Sequence, residues 1–377
     1  MILTEQQQMV REAAAEFARG SLAPHSSEWA EQKAVPQAVL REMGELGFMG
    51  MTVAEEWGGA GLDYVSYALA LIEIAAGDGA VSTIMSVNNA PVCAILQSLG
   101  NSEQKENFLK PLARGEIIGA FGLSEPQAGS DAANLLTRAR KSGDRYCLNG
   151  TKQFITSGKI AGVVIVFAVT DPGAGKRGIS AFLVPADSEG LIVSGIEEKM
   201  GQEASDTAQL TLEDVMLGSE LRIGDEGDGY KIALANLETG RIGIAAQSVG
   251  MARAALEHAR AYAMERRAFG KRIFDHQAVA FRLADMATEL EAAQSLTLQA
   301  AAIKEAGQPC LKQACMAKLF ASEAAERICS GAVQILGGYG YTRDYPVEKI
   351  YRDVRVCQIY EGTSDVQKLI ISRQLDL

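Results

Sequence analysis

The residues with the most chemical promise fall in four short segments. In Gln358-Ile-Tyr-Glu-Gly-Thr-Ser-Asp-Val-Gln-Lys-Leu-Ile-Ile371, one carboxylate, Glu361, stands between Tyr360 and Gly362 at the head of an apolar helix, with Thr363, Ser364 or Asp365 available as its cap. A carboxylate there is either an ordinary helix-start charge, favoured by the dipole, or a general base beside a closed site. A second segment, Gly119-Ala-Phe-Gly-Leu-Ser-Glu-Pro-Gln-Ala-Gly-Ser-Asp131, runs like a strand into a turn dense in small residues and hydroxyls. Such a turn exposes backbone N–H groups and short donors to a ligand, although a plain connecting loop has the same composition. In Lys152-Gln-Phe-Ile-Thr-Ser-Gly158, Phe154 and Thr156 are two residues apart and so share one side of a strand. They would serve either as core and ladder residues or as an aromatic face and a hydroxyl for a flat ring. The fourth segment, Glu265-Arg-Arg-Ala-Phe-Gly-Lys-Arg-Ile-Phe-Asp-His-Gln277, is the most basic stretch of an acidic chain. Arginine forks suit a pyrophosphate and Phe269 a stacked base, while a solvated basic helix end is the commoner meaning of such a run.

These segments need elements to position them. Met9, Val10, Ala13, Ala14 and Phe17 lie on one helical face, and Thr4 is placed to cap that helix; further helical patterns cover Pro36 to Leu46 and Tyr64 to Ala76, divided by Gly58, Gly59 and Gly61. After Gly115 the pattern turns to short apolar runs at Val163 to Val169, Ile179 to Val184, Leu191 to Ile196 and Ala208 to Leu212. With no long helix between them and no GxGxxG after a strand, they predict an antiparallel sheet or small barrel rather than a parallel dinucleotide-binding sheet. The helical period returns after about Gly224, through Leu283, Met286, Leu290, Ala293, Thr297 and Ala300, then along a second stripe that stops at Gly337-Gly338. No internal repeat is present.

Composition narrows the function further. The 377 residues, 47% hydrophobic and 22% charged, suffice for two or three packed units with a sizeable core. Lys+Arg 36 against Asp+Glu 47 gives a net charge of −11, which disfavours nucleic acid. Six scattered cysteines and three distant histidines offer neither a disulfide framework nor a metal site. No targeting segment and no stretch of some eighteen apolar, uncharged residues for a membrane span are legible, so a cytoplasmic protein is expected, or a mitochondrial matrix protein if a transit peptide has been removed.

Taken together, and over essentially the whole chain, the four segments resemble the acyl-CoA dehydrogenase flavoproteins, with the short-chain, butyryl-CoA-type members most similar in pattern. The resemblance implies an α+β fold with an N-terminal helical domain (1–117), a middle antiparallel β-barrel or sheet domain (118–224) and a C-terminal four-helix-bundle domain (225–377). It implies FAD as cofactor, met along its ring by Phe121, Leu123, Ser124, Ser130, Phe154, Thr156 and Ser157. Arg266, Phe269, Gln277, Gln334, Leu336, Gly337 and Gly338 would hold the ADP half across a subunit interface, and Thr363 and Asp365 would complete the cofactor contacts. Ser130, Glu238, Arg241, Tyr360 and Gly362 would face acyl-CoA, and Glu361 matches the family's base. Some members carry that base directly before the arginine instead, but here Gly240 precedes Arg241.

The implied reaction is α,β-dehydrogenation of a saturated acyl-CoA to the trans-2-enoyl-CoA. Glu361 would take the α-proton and flavin N5 the β-hydride, while the Glu361 N–H and a ribityl hydroxyl would hold the thioester oxygen. Electron-transfer flavoprotein as acceptor and a homotetramer are further implications, with no membrane or nucleic-acid partner. The run Leu237 to Gln247 looks like short-chain members, so a short or short-branched acyl group is expected, with medium-chain the alternative. An acyl-CoA oxidase and a non-catalytic DNA-binding relative are the rival readings. The first is disfavoured by chain length and the second by net charge.

Overall fold

The computed structural model describes residues 1–375, so the last two residues of the third expected region lie outside it. Eight helices precede the first strand: α1 (Glu5–Phe17), α2 (Ser26–Gln32), α3 (Gln37–Glu45), α4 (Tyr64–Gly77), α5 (Gly79–Val87), α6 (Ala94–Leu99), α7 (Ser102–Gln104) and α8 (Lys110–Ala113). Side-chain caps set their starts. Thr4 and Gln7 form a reciprocal capping box on α1, while Asp63 and Asp78 accept from the Ser66 and Val81 amides at the heads of α4 and α5. Contrary to the expectation from sequence, Gly79–Leu99 would pass for a membrane span by length and composition. Its apolar window is 89% buried within the protein, and its backbone kinks at Ala90, so it is a core segment.

Eight strands follow in one sheet: β1 (Ile118–Gly122), β2 (Arg138–Ser142), β3 (Arg145–Thr156), β4 (Ala161–Val169), β5 (Ile179–Pro185), β6 (Leu191–Ile196), β7 (Thr207–Gly218) and β8 (Arg222–Ile223). Their order is β6-β7-β3-β2-β4-β5-β8, with β1 beside β4. The four expected apolar runs are β4, β5, β6 and the first part of β7. The expected antiparallel sheet is mixed instead, because β1 and β2 both run parallel to β4. The β2–β3 hairpin lies in the chain between β1 and β4 and gives it the length to return in the same direction. The pairing of β3 with β7 shifts register between Lys152 and Ile155, a bulge that leaves Phe154 at φ 59° and breaks the simple alternation expected of Phe154 and Thr156.

The rest is helical: α9 (Gly229–Glu265), α10 (Gln277–Glu305), α11 (Leu311–Leu336), α12 (Val347–Val354) and α13 (Ser364–Arg373). Three long helices therefore carry this region, with two short ones added. The basic segment between α9 and α10 is a hairpin of β9 (Arg267–Ala268) and β10 (Lys271–Arg272), not a helix end. Helix α9 lies close on α4 because it is glycine-rich: a methyl group at Gly250 would collide with the Ile72 carbonyl oxygen.

A buried polar chain ties the helical and sheet regions together. Lys349 on α12 binds Asp78 at 3.1 Å and Asp353 at 2.7 Å. Asp78 also accepts from Ser26, and Asp353 from the amide of Gln202, which follows β6. Thr83 on α5 donates to Gln202 Oε1 at 2.6 Å, and Gln247 on α9 donates to Thr83, to Ser82 and to the Gly79 carbonyl. Removing the central cation would leave two carboxylates facing each other without water. Lys349→Met is therefore expected to lower folding stability by about 3–5 kcal/mol, measured by denaturant unfolding, with Lys349→Arg retaining most of it.

Candidate active site

Glu361 sits in the turn between α12 and α13 with its backbone in the left-handed region (φ 55°), followed by Gly362 at φ 89°. A non-glycine residue there is strained by roughly 1 kcal/mol or more, so its neighbours must hold it. They do so through the carbonyls. Gln367 on α13 donates to the Glu361 carbonyl at 3.1 Å and the Gly362 carbonyl at 2.8 Å, and Lys318 on α11 donates to the latter at 2.7 Å. Thr363 caps α13 through the Val366 amide. On the other side of the turn, the Tyr360 hydroxyl donates to Gln247 Oε1 at 2.5 Å, which joins the turn to the buried polar chain.

The Glu361 carboxylate lies against the bare backbone of α9 at Gly240, where a methyl group would be 2.6 Å from Oε2. That oxygen is inaccessible to solvent and has no hydrogen-bond partner. Burial pushes the carboxyl up to about 7, against the opposing pull of Arg241 and Lys318. Arg241 is only 4% exposed and its Nε is likewise unpartnered. The carboxylate and the arginine that the sequence singles out are thus brought together, on a floor that Gly240 keeps open. Tyr360 and Gly362 flank Glu361, but the hydroxyl of Tyr360 is taken up inside the protein by Gln247. Glu238 points elsewhere: its carboxylate meets Lys304 at 3.1 Å and the Cys310 thiol at 3.1 Å.

A buried ion pair joins the second and third segments. Lys152 binds Glu125 at 2.7 Å and the Leu123 carbonyl at 3.2 Å, and Glu125 also accepts from the Leu136 and Thr137 amides. The Gln153 amide donates to the Ser124 carbonyl at 2.9 Å. The turn at Leu123 and Ser124 is thereby fixed beside the β3 bulge. Phe154 projects from that bulge with 64% exposure, Thr156 is half-buried, and Ser157 is buried with a hydroxyl that has no partner. Phe121 packs edge-on against Phe167 at 5.0 Å, and Ser130 is exposed.

The remaining predicted residues lie in the C-terminal region, all of them at its surface except the buried Leu336. Arg266, Leu336 and Gly338 line one cleft of about 420 Å³, where the Arg266 guanidinium lies 5.9 Å from the centre of the Tyr339 ring. Phe269 at the hairpin tip is 96% exposed and Gln277 begins α10 beside it, whereas Gln334 turns into a different cleft with Arg282 and Tyr351. Gly337 ends α11 at φ 62°, and Asp365 is exposed on α13. Glu361 is not among the residues that line the Arg266 cleft.

Sequence reasoning misses Lys318, Gln247, Gln367 and Glu125. Two of them leave a legible signal. Lys318 falls in register with Ala314, Ala317 and Ala321, the buried face of α11, and Gln247 lies inside the uniformly buried run of α9. A charge or amide on an apolar stripe calls for a partner that only the fold supplies.

Comparison with known proteins places the whole chain in a family. Residues 4–116, 120–215 and 227–375 match the N-terminal, middle and C-terminal domain models of acyl-CoA dehydrogenase. An acyl-CoA dehydrogenase of Bacillus subtilis is 46% identical over 375 residues, covering 100% of this chain and 99% of its own length. The mitochondrial short-chain specific acyl-CoA dehydrogenase of Bos taurus is 46% identical over 99% of this chain and 90% of its own. The butyryl-CoA dehydrogenase structure from Megasphaera elsdenii superposes with a TM-score of 0.97 at 41% identity, with both chains fully covered. With three domain models in series and relatives matched end to end, the chain belongs to the acyl-CoA dehydrogenase family.

Proposed function

We propose that this protein is a short-chain acyl-CoA dehydrogenase in which Glu361 removes the α-proton of a saturated acyl thioester. The observation that carries the reading is the buried, unpartnered Glu361 Oε2, held in a strained turn over the open floor at Gly240. A carboxylate with that environment binds a proton more tightly than one in water, as a base for a weakly acidic C–H bond requires. Among the described residues the Glu361 amide makes no hydrogen bond, which leaves it available to the thioester oxygen as charge develops there.

FAD fits the second and third segments: an exposed aromatic at Phe154, the unpartnered Ser157 hydroxyl, and a turn at Leu123 and Ser124 anchored by the Lys152–Glu125 pair offer a face and edge contacts for a flat ring. When bound, FAD supplies the hydride acceptor that no side chain can provide. Arg266, Phe269 and Gln277 would hold the ADP half, and their exposure at the surface, Phe269 above all, is what a clasp formed between subunits of a homotetramer would need. Electron-transfer flavoprotein is the proposed electron acceptor.

A short acyl group is favoured by the next turn of α9. A methyl group at Gly243 would meet the Ser86 hydroxyl at 2.6 Å and the Tyr67 hydroxyl at 3.0 Å. Ser86 and Tyr67 are thus packed tightly on α9 about one turn, roughly 5 Å, from Gly240, which would restrict the depth open to an acyl chain on that side.

Anaerobic addition of saturated acyl-CoAs of graded length tests this directly, with rapid bleaching of flavin absorption expected for short chains and little for medium ones. An equal response to both would overturn the short-chain assignment. Glu361→Gln is expected to retain flavin and acyl-CoA binding while flavin reduction falls roughly 10²–10⁴-fold; near-normal reduction would remove Glu361 from the mechanism. Arg266→Ala should lose FAD on gel filtration and weaken assembly, whereas full retention of both would argue against the clasp.

A further inference from the structure

Among the described residues three lysines are buried, and two of them have carboxylate partners: Lys152 binds Glu125 at 2.7 Å, and Lys349 binds Asp78 and Asp353. The third, Lys318, is 0% exposed and has none within ion-pair distance among the described residues. A buried cation left unmatched in this way is costly, and it persists where its charge has another use. Its ammonium donates to the Gly362 carbonyl, which already accepts from the neutral amide of Gln367 at 2.8 Å. A hydrogen bond alone would therefore not require a lysine.

We propose that Lys318 is a positioning residue for the base: it clamps the left-handed Glu361–Gly362 turn through the Gly362 carbonyl at 2.7 Å, and its unmatched charge, held beside that turn, favours the ionised form of the Glu361 carboxylate. The inference rests on Glu361 as the base. The charged groups that act on Glu361 are Arg241 from α9 and Lys318 from α11, the Tyr67 hydroxyl from α4 also faces it, and Cys315 and Cys357 lie by Lys318. Burial raises the Tyr67 hydroxyl and both thiols, so they remain neutral and the two cations alone oppose desolvation of the carboxylate. Burial also lowers the Lys318 ammonium to about 8, with the Glu361 carboxylate pulling it back up, so it is charged at neutral pH.

The sign follows. A positive charge favours the carboxylate, so removing it raises the pH at which Glu361 ionises, and proton abstraction then begins at higher pH. The test is the pH profile of the second-order rate constant for anaerobic flavin reduction by butyryl-CoA, measured on FAD-loaded protein with thermal unfolding as a check of folding. Lys318→Gln, which keeps a donor but no charge, is expected to move the acidic midpoint upward by about one pH unit. Lys318→Arg is expected to restore the midpoint. Gln367→Met removes a neutral clamp on the same carbonyl, so it should lower the plateau and leave the midpoint where it was. An unchanged midpoint in a folded Lys318→Gln protein, or an equal shift in Gln367→Met, overturns the proposal. If Glu361→Gln remains active, the base assignment fails instead, and the two failures are told apart.

Discussion

The site depends on one continuous constraint, the buried polar chain from Asp78 through Lys349, Asp353, Gln202, Thr83 and Gln247 to the hydroxyl of Tyr360. Its members come from α5 and its cap, the segment after β6, and α9 and α12, so no single region can satisfy it alone. Each link is shut away from water, and a missing partner costs far more than the bond itself contributes. The chain therefore specifies how the helical layers and the sheet meet. Because it ends on the residue next to Glu361, it also fixes where the turn that carries the proposed base lies.

Around that turn, charge is balanced differently. Elsewhere the protein buries cations beside carboxylates, as at Lys152 and Lys349, where attraction offsets much of the desolvation. At Glu361 two buried cations share one carboxylate whose second oxygen has no donor. The imbalance leaves Glu361 poised between its protonation states, the condition a base near neutral pH needs. Glycine makes the arrangement possible: Gly240 leaves room for the carboxylate against α9, and Gly362 accepts a backbone conformation that ordinary residues avoid.

The clearest parts of the sequence are those with a regular period. Thr4 as a cap and the helices α1 and α3 follow from helical spacing, and α4, β4 and β5 from apolar runs that are buried almost throughout. β2 and the start of β3 are harder to read: Arg138 to Ser142 present mostly exposed polar residues, so no alternation marks them. The parallel pairing of β1 with β4 is also hidden, since it depends on how the intervening hairpin returns the chain. The bulge at Phe154 has no signature in residue type at all, yet it decides which way the aromatic points.

The sequence by itself determined the family-like segments, the candidate base at Glu361, the exclusion of Gly240 as an alternative and the acidic character of the whole chain, because these depend only on residue identity and near neighbours. Tertiary structure alone decided that Glu361 faces Arg241 and Lys318, that Tyr360 turns inward to Gln247, and that Glu238 is engaged by Lys304 and Cys310. Those pairings join residues far apart in the chain, and their strength comes from the exclusion of water, which no local pattern encodes.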